Sequence, residues 1–433
     1  MFWALCGQAV LSITRFFSKM VVGGRLNPDD GIEQGVGLGS SVELGYYEVA
    51  FGLMMLIVAL HEAFVTTPLT FFNHKTETRT TDDRKFAGRM LVISAVFSVL
   101  AFICLMVVSS YRYATMAENP GLALAMLALS VMLPFQLIRE FARRWLLANI
   151  QVKQSALIEV LFACLFAVCL LLLVLNETIT AASVFAITAV ANLVCLAGWW
   201  IIYRRSFTVS LAGVGKQTAE NFGYGKWIAG ENVCSVLTIY FSQFFLMAKL
   251  GPKGVGVYSA CMTLVLLANP FLLGVASLFA PRGAQEFNRN GWSGMLKLLL
   301  GYSLFVCSVL IAYSTVLFFY GDTLTTLVFG NEYENYFLLN FGGANTTTFL
   351  LSIAMPCLGL SFLLTCCLLA ADVPIYSFYA AVVGLIATVL VNYSFAEPTV
   401  NTAATSFVVG AVATMLARVV LVWWAHRQQT KVA

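Results

Sequence analysis

The sequence predicts an all-α polytopic membrane protein of about 12 transmembrane helices. Three observations predict it. The 433 residues are 60% hydrophobic and only 11% charged, where soluble globular domains carry about 25% charged residues. Mean hydropathy is +0.85. Apolar runs of span length recur along the whole chain, separated by charged or Gly/Pro-rich breaks. At about 20 residues per crossing, a dozen spans use some 240 residues and leave no room for a sizeable extramembrane domain. Soluble enzymes and nucleic-acid binders are excluded by the charge deficit.

Taken in order, the runs place helices at 2–22, 45–66, 89–109, 121–138, 155–175 and 180–203. A second set follows at 227–248, 255–279, 296–319, 346–370, 373–394 and 402–425. Residues 2–22 read as a retained first span, because no positive charge precedes the apolar stretch and Arg15 and Lys19 interrupt it, the reverse of a cleaved signal. All 11 cysteines fall in apolar segments without a CxxC or Cys/His cluster, so they read as small core hydrophobes, not metal ligands. No metal site and no cofactor is expected.

Basic residues orient the spans. Of the 25 Lys and Arg, 18 fall in the loops after spans two, four, six and eight and in the C-terminal tail. Arg139, Arg143 and Arg144 are counted in the loop after span four, and Glu159 reads as an acid solvated near the same interface. The positive-inside rule then places both termini in the cytoplasm. The eight tryptophans, Trp145, Trp199 and Trp292 among them, cluster near the same predicted interface, where amphipathic rings settle. Asp29, Asp30, Glu332 and Glu334 fall on the opposite side.

An internal repeat divides the chain. Gln8, Ser12, Arg15 and Lys19 share one helical face of span one, and Glu231, Ser235, Thr238 and Ser242 repeat that spacing in span seven. Gly45-Tyr46-Tyr47 likewise matches Gly256-Val257-Tyr258 at the starts of spans two and eight. The expectation is a six-helix half over 1–205, a cytoplasmic linker over 206–226 and a second half over 227–433. Two halves in the same orientation imply a pseudo-twofold axis along the membrane normal, as in transporters that rock one half against the other.

The segment from Gly225 to Phe287 carries Gly225-Lys226-Trp227 opening span seven, Leu250-Gly251-Pro252, Gly256, Tyr258 and Pro281-Arg282. Phe329-Gly330-Asn331-Glu332-Tyr333 follows before span ten. These residues resemble the multidrug/oligosaccharidyl-lipid/polysaccharide flippase superfamily, particularly its polysaccharide flippases of the O-antigen type. The resemblance runs loosely over the whole chain, but the extended segment from Asn27-Pro28-Asp29-Asp30 departs from the pattern. It implies a bacterial inner-membrane transporter for a lipid-linked oligosaccharide, with membrane lipids, a polysaccharide polymerase and other assembly proteins as partners, and no nucleic acid.

Charges inside spans are the candidate transport residues, since each costs about 2.5–3.5 kcal/mol at the bilayer centre unless it faces a cavity or a partner. Arg15 and Lys19 suit an anionic diphosphate; the alternative is a packed ion pair for Arg15 and a snorkelling Lys19. Glu62 is a candidate coupling residue or an internal partner for Arg15 or Arg418, and adjacent His61 is either a coupling group or a hydrogen-bonded core histidine. Glu231 and Asn232 open span seven. Asn269 precedes Pro270 midway along span eight, where the proline kinks the helix and frees a carbonyl. Arg418 lines a cavity or snorkels.

These features favour a flippase that moves a polyprenyl-diphosphate-linked oligosaccharide by alternating access. A multidrug antiporter of the same superfamily would need an acidic cavity, which Glu62 and Glu231 keep open. A membrane-embedded polymerase or ligase would need catalytic groups in a large outer loop, and no Ser/His/Asp set, metal-ligand pair or P-loop is present in the sequence. The expectation is a non-enzymatic transporter.

Overall fold

The computed structural model describes residues 2–24, 40–73, 81–115, 120–330, 333, 344–371, 373–395 and 397–432. Asp29, Asp30, Glu332 and Glu334 lie outside the described residues, as does the side chain of Gln8. Among the described residues the regular elements are helical. The helices are α1 (Phe2–Val22), α2 (Ser41–His61), α3 (Thr67–Asn73), α4 (Thr81–Thr115), α5 (Pro120–Ala148), α6 (Val152–Leu175) and α7 (Ala181–Tyr203). There follow α8 (Val214–Val265), α9 (Asn269–Phe329), α10 (Ala344–Ala370), α11 (Pro374–Ser394) and α12 (Val400–Val432).

Nine continuous helical runs among the described residues are long and apolar enough to cross a membrane. One of them, 214–329, has 116 residues. At 1.5 Å per residue it would be about 170 Å long, far more than one crossing needs. Gly251 (φ 72°) and Gly291 (φ 61°) break it into three span-length segments, and a side chain at either position would be strained. With these three and the 21-residue α1, the described chain holds twelve segments of span length.

The chain divides into two compact units, Met1–Ala229 and Gly230–Ala433. In the first, α5 packs against α2, α4, α6 and α7. Val65, Leu69, Met90, Phe141, Trp145, Trp199 and Phe207 close one end of this unit as a buried cluster. Trp145, Trp199 and Trp292 are packed side chains, and Trp423 and Trp424 are exposed. In the second unit α10 packs on α9 and α12, and α11 on α12. The α11–α12 contact is close because both helices present a glycine. A Cβ on Gly384 would stand 2.9 Å from the Gly410 carbonyl, and one on Gly410 would stand 3.1 Å from that of Gly384. Small residues at such contacts are what lets helices approach in lipid.

Several boundaries differ from the sequence reading, and two of them bear on the site. Helix α5 continues to Ala148, so Arg139, Arg143 and Arg144 are helical residues and not loop residues. Residues 214–226 of the expected linker are the first turns of α8.

Candidate functional site in the first unit

A partly open cavity lies within the first unit, between α1, α2, α5, α6 and α7. Its wall is largely aromatic, with Tyr47, Phe51, Phe162, Phe166 and Phe185. Tyr47 is stacked between its neighbours, 5.0 Å from Phe185 and 5.8 Å from Phe51 by ring centroid, which fixes that side of the wall. Thr14, Ser18, Gln136 and Thr188 supply polar groups. Two cations line it, Arg15 and Arg139, and they differ in kind.

Arg139 is buried and spent. Its Nη1 donates to Glu159 Oε2 at 2.6 Å, its guanidinium lies 4.0 Å from the Phe162 ring centroid, and its Nη2 donates to Gln136 Oε1 at 3.3 Å. Gln136 Oε1 also accepts from Asn192 Nδ2 at 3.0 Å. From there the charges alternate along α5. Arg143 contacts both Glu140 and Glu159, Arg144 contacts Glu140 at 3.3 Å, and Arg144 reaches Glu62. Three arginines and three glutamates thus neutralise one another. Glu159 is 2% exposed, so it is a buried structural acid and not a solvated one.

Arg15 is exposed at the cavity wall and has no carboxylate partner among the described residues; its guanidinium carbon stands 5.8 Å from the Phe51 centroid. Lys19, one turn on, is buried and holds the equally buried Glu48 at 2.6 Å. Lys19 is thus a packed ion pair, and Arg15 lines the cavity.

Glu62 pairs with Arg144, not with Arg15 or Arg418. It opens a π-helical turn, Glu62–Thr66, whose origin is local. Pro68 has no N–H for the Phe64 carbonyl, and the Thr67 N–H reaches back to Glu62. Pro68 thus denies the Phe64 carbonyl its usual donor, and the Thr67 N–H that would serve the Ala63 carbonyl goes to Glu62. Helix α8 covers both. Asn221 Nδ2 donates to the Phe64 carbonyl at 3.0 Å, and Gly225 approaches so closely that a Cβ would stand 2.3 Å from the Ala63 carbonyl. Gly225 is the glycine of the Gly-Lys-Trp motif, and this approach accounts for that glycine. His61 is fully buried, with Nε2 2.9 Å from Ser94 Oγ and Nδ1 without a hydrogen-bond partner among the described residues.

The remaining candidates lie in the second unit. Glu231 accepts from Arg418 Nη2 at 2.9 Å and from the Ser377 hydroxyl, while Arg418 Nη1 donates to Ser361 Oγ at 2.7 Å. Ser242 donates to the Ala403 carbonyl at 3.3 Å and accepts from Asn392 at 3.2 Å. Tyr258 is buried, as Tyr47 is in the first unit. Asn232 is half-buried. At Pro270 the expected kink is a turn of 3-10 helix, Leu266–Ala268, in which the Asn269 backbone N–H takes the carbonyl that the proline frees. The Asn269 side chain is half-buried.

Sequence reasoning passed over Arg139, Gln136 and Glu48 as site residues. The signal for the first two was the polar face Gln136, Arg139, Glu140, Arg143 at helical spacing, which continues α5 beyond its apolar run.

The fold defines the class: an all-helical, multi-pass membrane protein with the fold of the multidrug/oligosaccharidyl-lipid/polysaccharide flippase (MOP) superfamily. An inward-facing multidrug resistance MATE family transporter of that superfamily superposes with a TM-score of 0.77 at 13% identity, covering 99% of this chain and 98% of that one. An outward-facing structure of such a transporter gives 0.72 at 13% identity over 99% and 94%. A MOP superfamily transporter from Pyrococcus furiosus, described as having a binding pocket of reverse polarity, gives 0.69 at 12% identity over 99% and 94%. At these identities the likeness is one of fold. No curated protein sequence matches the chain. The family model for polysaccharide biosynthesis proteins matches residues 40–285, more than half of the sequence, and the chain belongs to that family.

Proposed function

We propose that this protein is a flippase that moves a polyprenyl-diphosphate-linked oligosaccharide across a bacterial cytoplasmic membrane by alternating access. The observation that carries the reading is Arg15, a cation at the wall of an aromatic cavity with no acid opposite it among the described residues. A guanidinium stays charged at any physiological pH and donates in a fork that matches phosphate oxygens. Aromatic faces and the hydroxyls of Thr14, Ser18 and Thr188 suit sugar rings, and the polyprenyl tail stays in lipid. Membership of the polysaccharide biosynthesis family supports the same cargo. Both termini are assigned to the cytoplasm from the distribution of Lys and Arg, and a polymerase and other assembly proteins are the partners this role calls for.

The second reading is multidrug extrusion, which the structural likeness to MATE transporters favours. The test is reconstitution in liposomes with a fluorescent polyprenyl-diphosphate oligosaccharide, with organic-cation efflux measured in parallel. Transfer of the lipid-linked sugar that is lost in Arg15→Ala at matched folded yield supports the flippase. Cation efflux without sugar transfer replaces it with the antiporter.

A further inference from the structure

We propose that the buried Lys19–Glu48 ion pair sets the sign of the cavity's charge: by holding Glu48 away from Arg15 it makes the cavity select anionic headgroups and reject organic cations. The proposal rests on the reading of Arg15 as the cargo-binding cation, and adds to it the residue that keeps that cation free.

Arg15 and Lys19 stand one turn apart on α1, and both flank the same ring, Phe51 of α2, at 5.8 and 5.5 Å from its centroid. Glu48 stands one turn before Phe51 on α2. Two cations and one acid therefore share a single aromatic neighbour. Glu48 is 0% exposed, and among the described residues its carboxylate has no ion-pair partner but Lys19. Its compensation is the Lys19 ammonium at 2.6 Å. The other cation lining the cavity, Arg139, is already neutralised by Glu159 at 2.6 Å. The charge offered to a ligand is then that of Arg15 alone.

A carboxylate left buried without a partner is costly, so it recruits the nearest cation. With Lys19 removed, that cation is Arg15, and the cavity becomes neutral. With both cations removed, Glu48 turns the cavity acidic, the polarity that suits a cationic drug. With Glu48 neutralised, Lys19 adds to Arg15. Lys19 is on this account a positioning residue for specificity, not a ligand to the cargo.

The test is binding of farnesyl diphosphate and of tetraphenylphosphonium to the purified full-length protein, by equilibrium dialysis. Wild type binds the diphosphate and Arg15→Ala does not; failure of this arm removes the reading of Arg15 and the present inference with it. Lys19→Met weakens diphosphate binding by roughly tenfold to a hundredfold, the size of one charge interaction across several ångströms of partly wet protein. Lys19→Met/Glu48→Gln restores it. Glu48→Gln alone tightens it, a gain that a merely structural pair does not produce, and this variant decides the matter should Lys19→Met fold poorly. Arg15→Ala/Lys19→Met binds tetraphenylphosphonium where wild type does not. Diphosphate binding by folded Lys19→Met at the wild-type level, no rescue in the double variant, or no gain in Glu48→Gln overturns the proposal while leaving Arg15 in place.

Discussion

Arg139 and Glu159 meet at 2.6 Å in the interior of the first unit, the one on α5 and the other on α6, with side chains only 4% and 3% exposed. Each lies close to the end of the apolar run that defines its helix in the sequence. Their pairing, extended through Arg143, Glu140 and Arg144, lets α5 run to Ala148 within a packed bundle.

Breaking this pair from one side strands a buried charge. Glu159→Leu is expected to lower stability by about 3–5 kcal/mol, whereas Arg139→Met/Glu159→Leu recovers much of the loss because no charge remains unpartnered. Thermal unfolding of the two variants in detergent, compared with wild type, checks the order. Equal loss in both would show that shape and not charge governs the site.

Glu62 stands in contrast. Its pair with Arg144 has side chains about a third exposed, 36% and 33%, where an ion pair is worth about 0–1 kcal/mol. Glu62→Gln is therefore expected to leave folded yield and unfolding temperature nearly unchanged. A coupling role then shows in transport alone: the variant retains binding of the lipid-linked sugar and loses the response to an imposed proton or sodium gradient. Wild-type response to both gradients would remove Glu62 from coupling.

The close crossing of α11 and α12 gives a third expectation. A Cβ on Gly384 meets Thr414 Oγ1 at 1.7 Å and the Gly410 carbonyl at 2.9 Å. The threonine can turn away, but the carbonyl belongs to helix backbone. Gly384→Val should cost about 1–3 kcal/mol through forced separation of the helices, read as a lower unfolding temperature. The same change at Gly301, where nothing stands within 4 Å of a Cβ, should cost far less.

The sequence carried most of the architecture because lipid imposes a length and a polarity on each span. Residues 2–22 and 373–394 were read to within a residue of α1 and α11. What hydropathy misread was charge compensated at a distance. Arg139 ends an apolar run in any sliding window, and its partner Glu159 is 20 residues away on another helix. The same holds for Lys19 and Glu48: spacing on α1 places Lys19 beside Arg15, but only packing against α2 shows which of the two is occupied. Proline gave the opposite case. The kink at Pro270 was legible because a missing N–H is a local fact, while the donor that repairs such a gap is not local. Ser314 on α9, for example, donates at 3.1 Å to the Ser352 carbonyl, four residues before Pro356 of α10.

The turn at Pro68 binds distant positions into one unit of inheritance. Proline there is tolerable because Asn221 reaches the Phe64 carbonyl and Gly225 lets the Ala63 carbonyl lie against α8. A lineage that replaced Pro68 with alanine would regain the helical donor and release both partners from constraint, whereas one that lost Asn221 first would carry an unmet carbonyl until the proline followed. Substitutions at 68, 221 and 225 should therefore travel together among descendants of this chain, in that order of dependence.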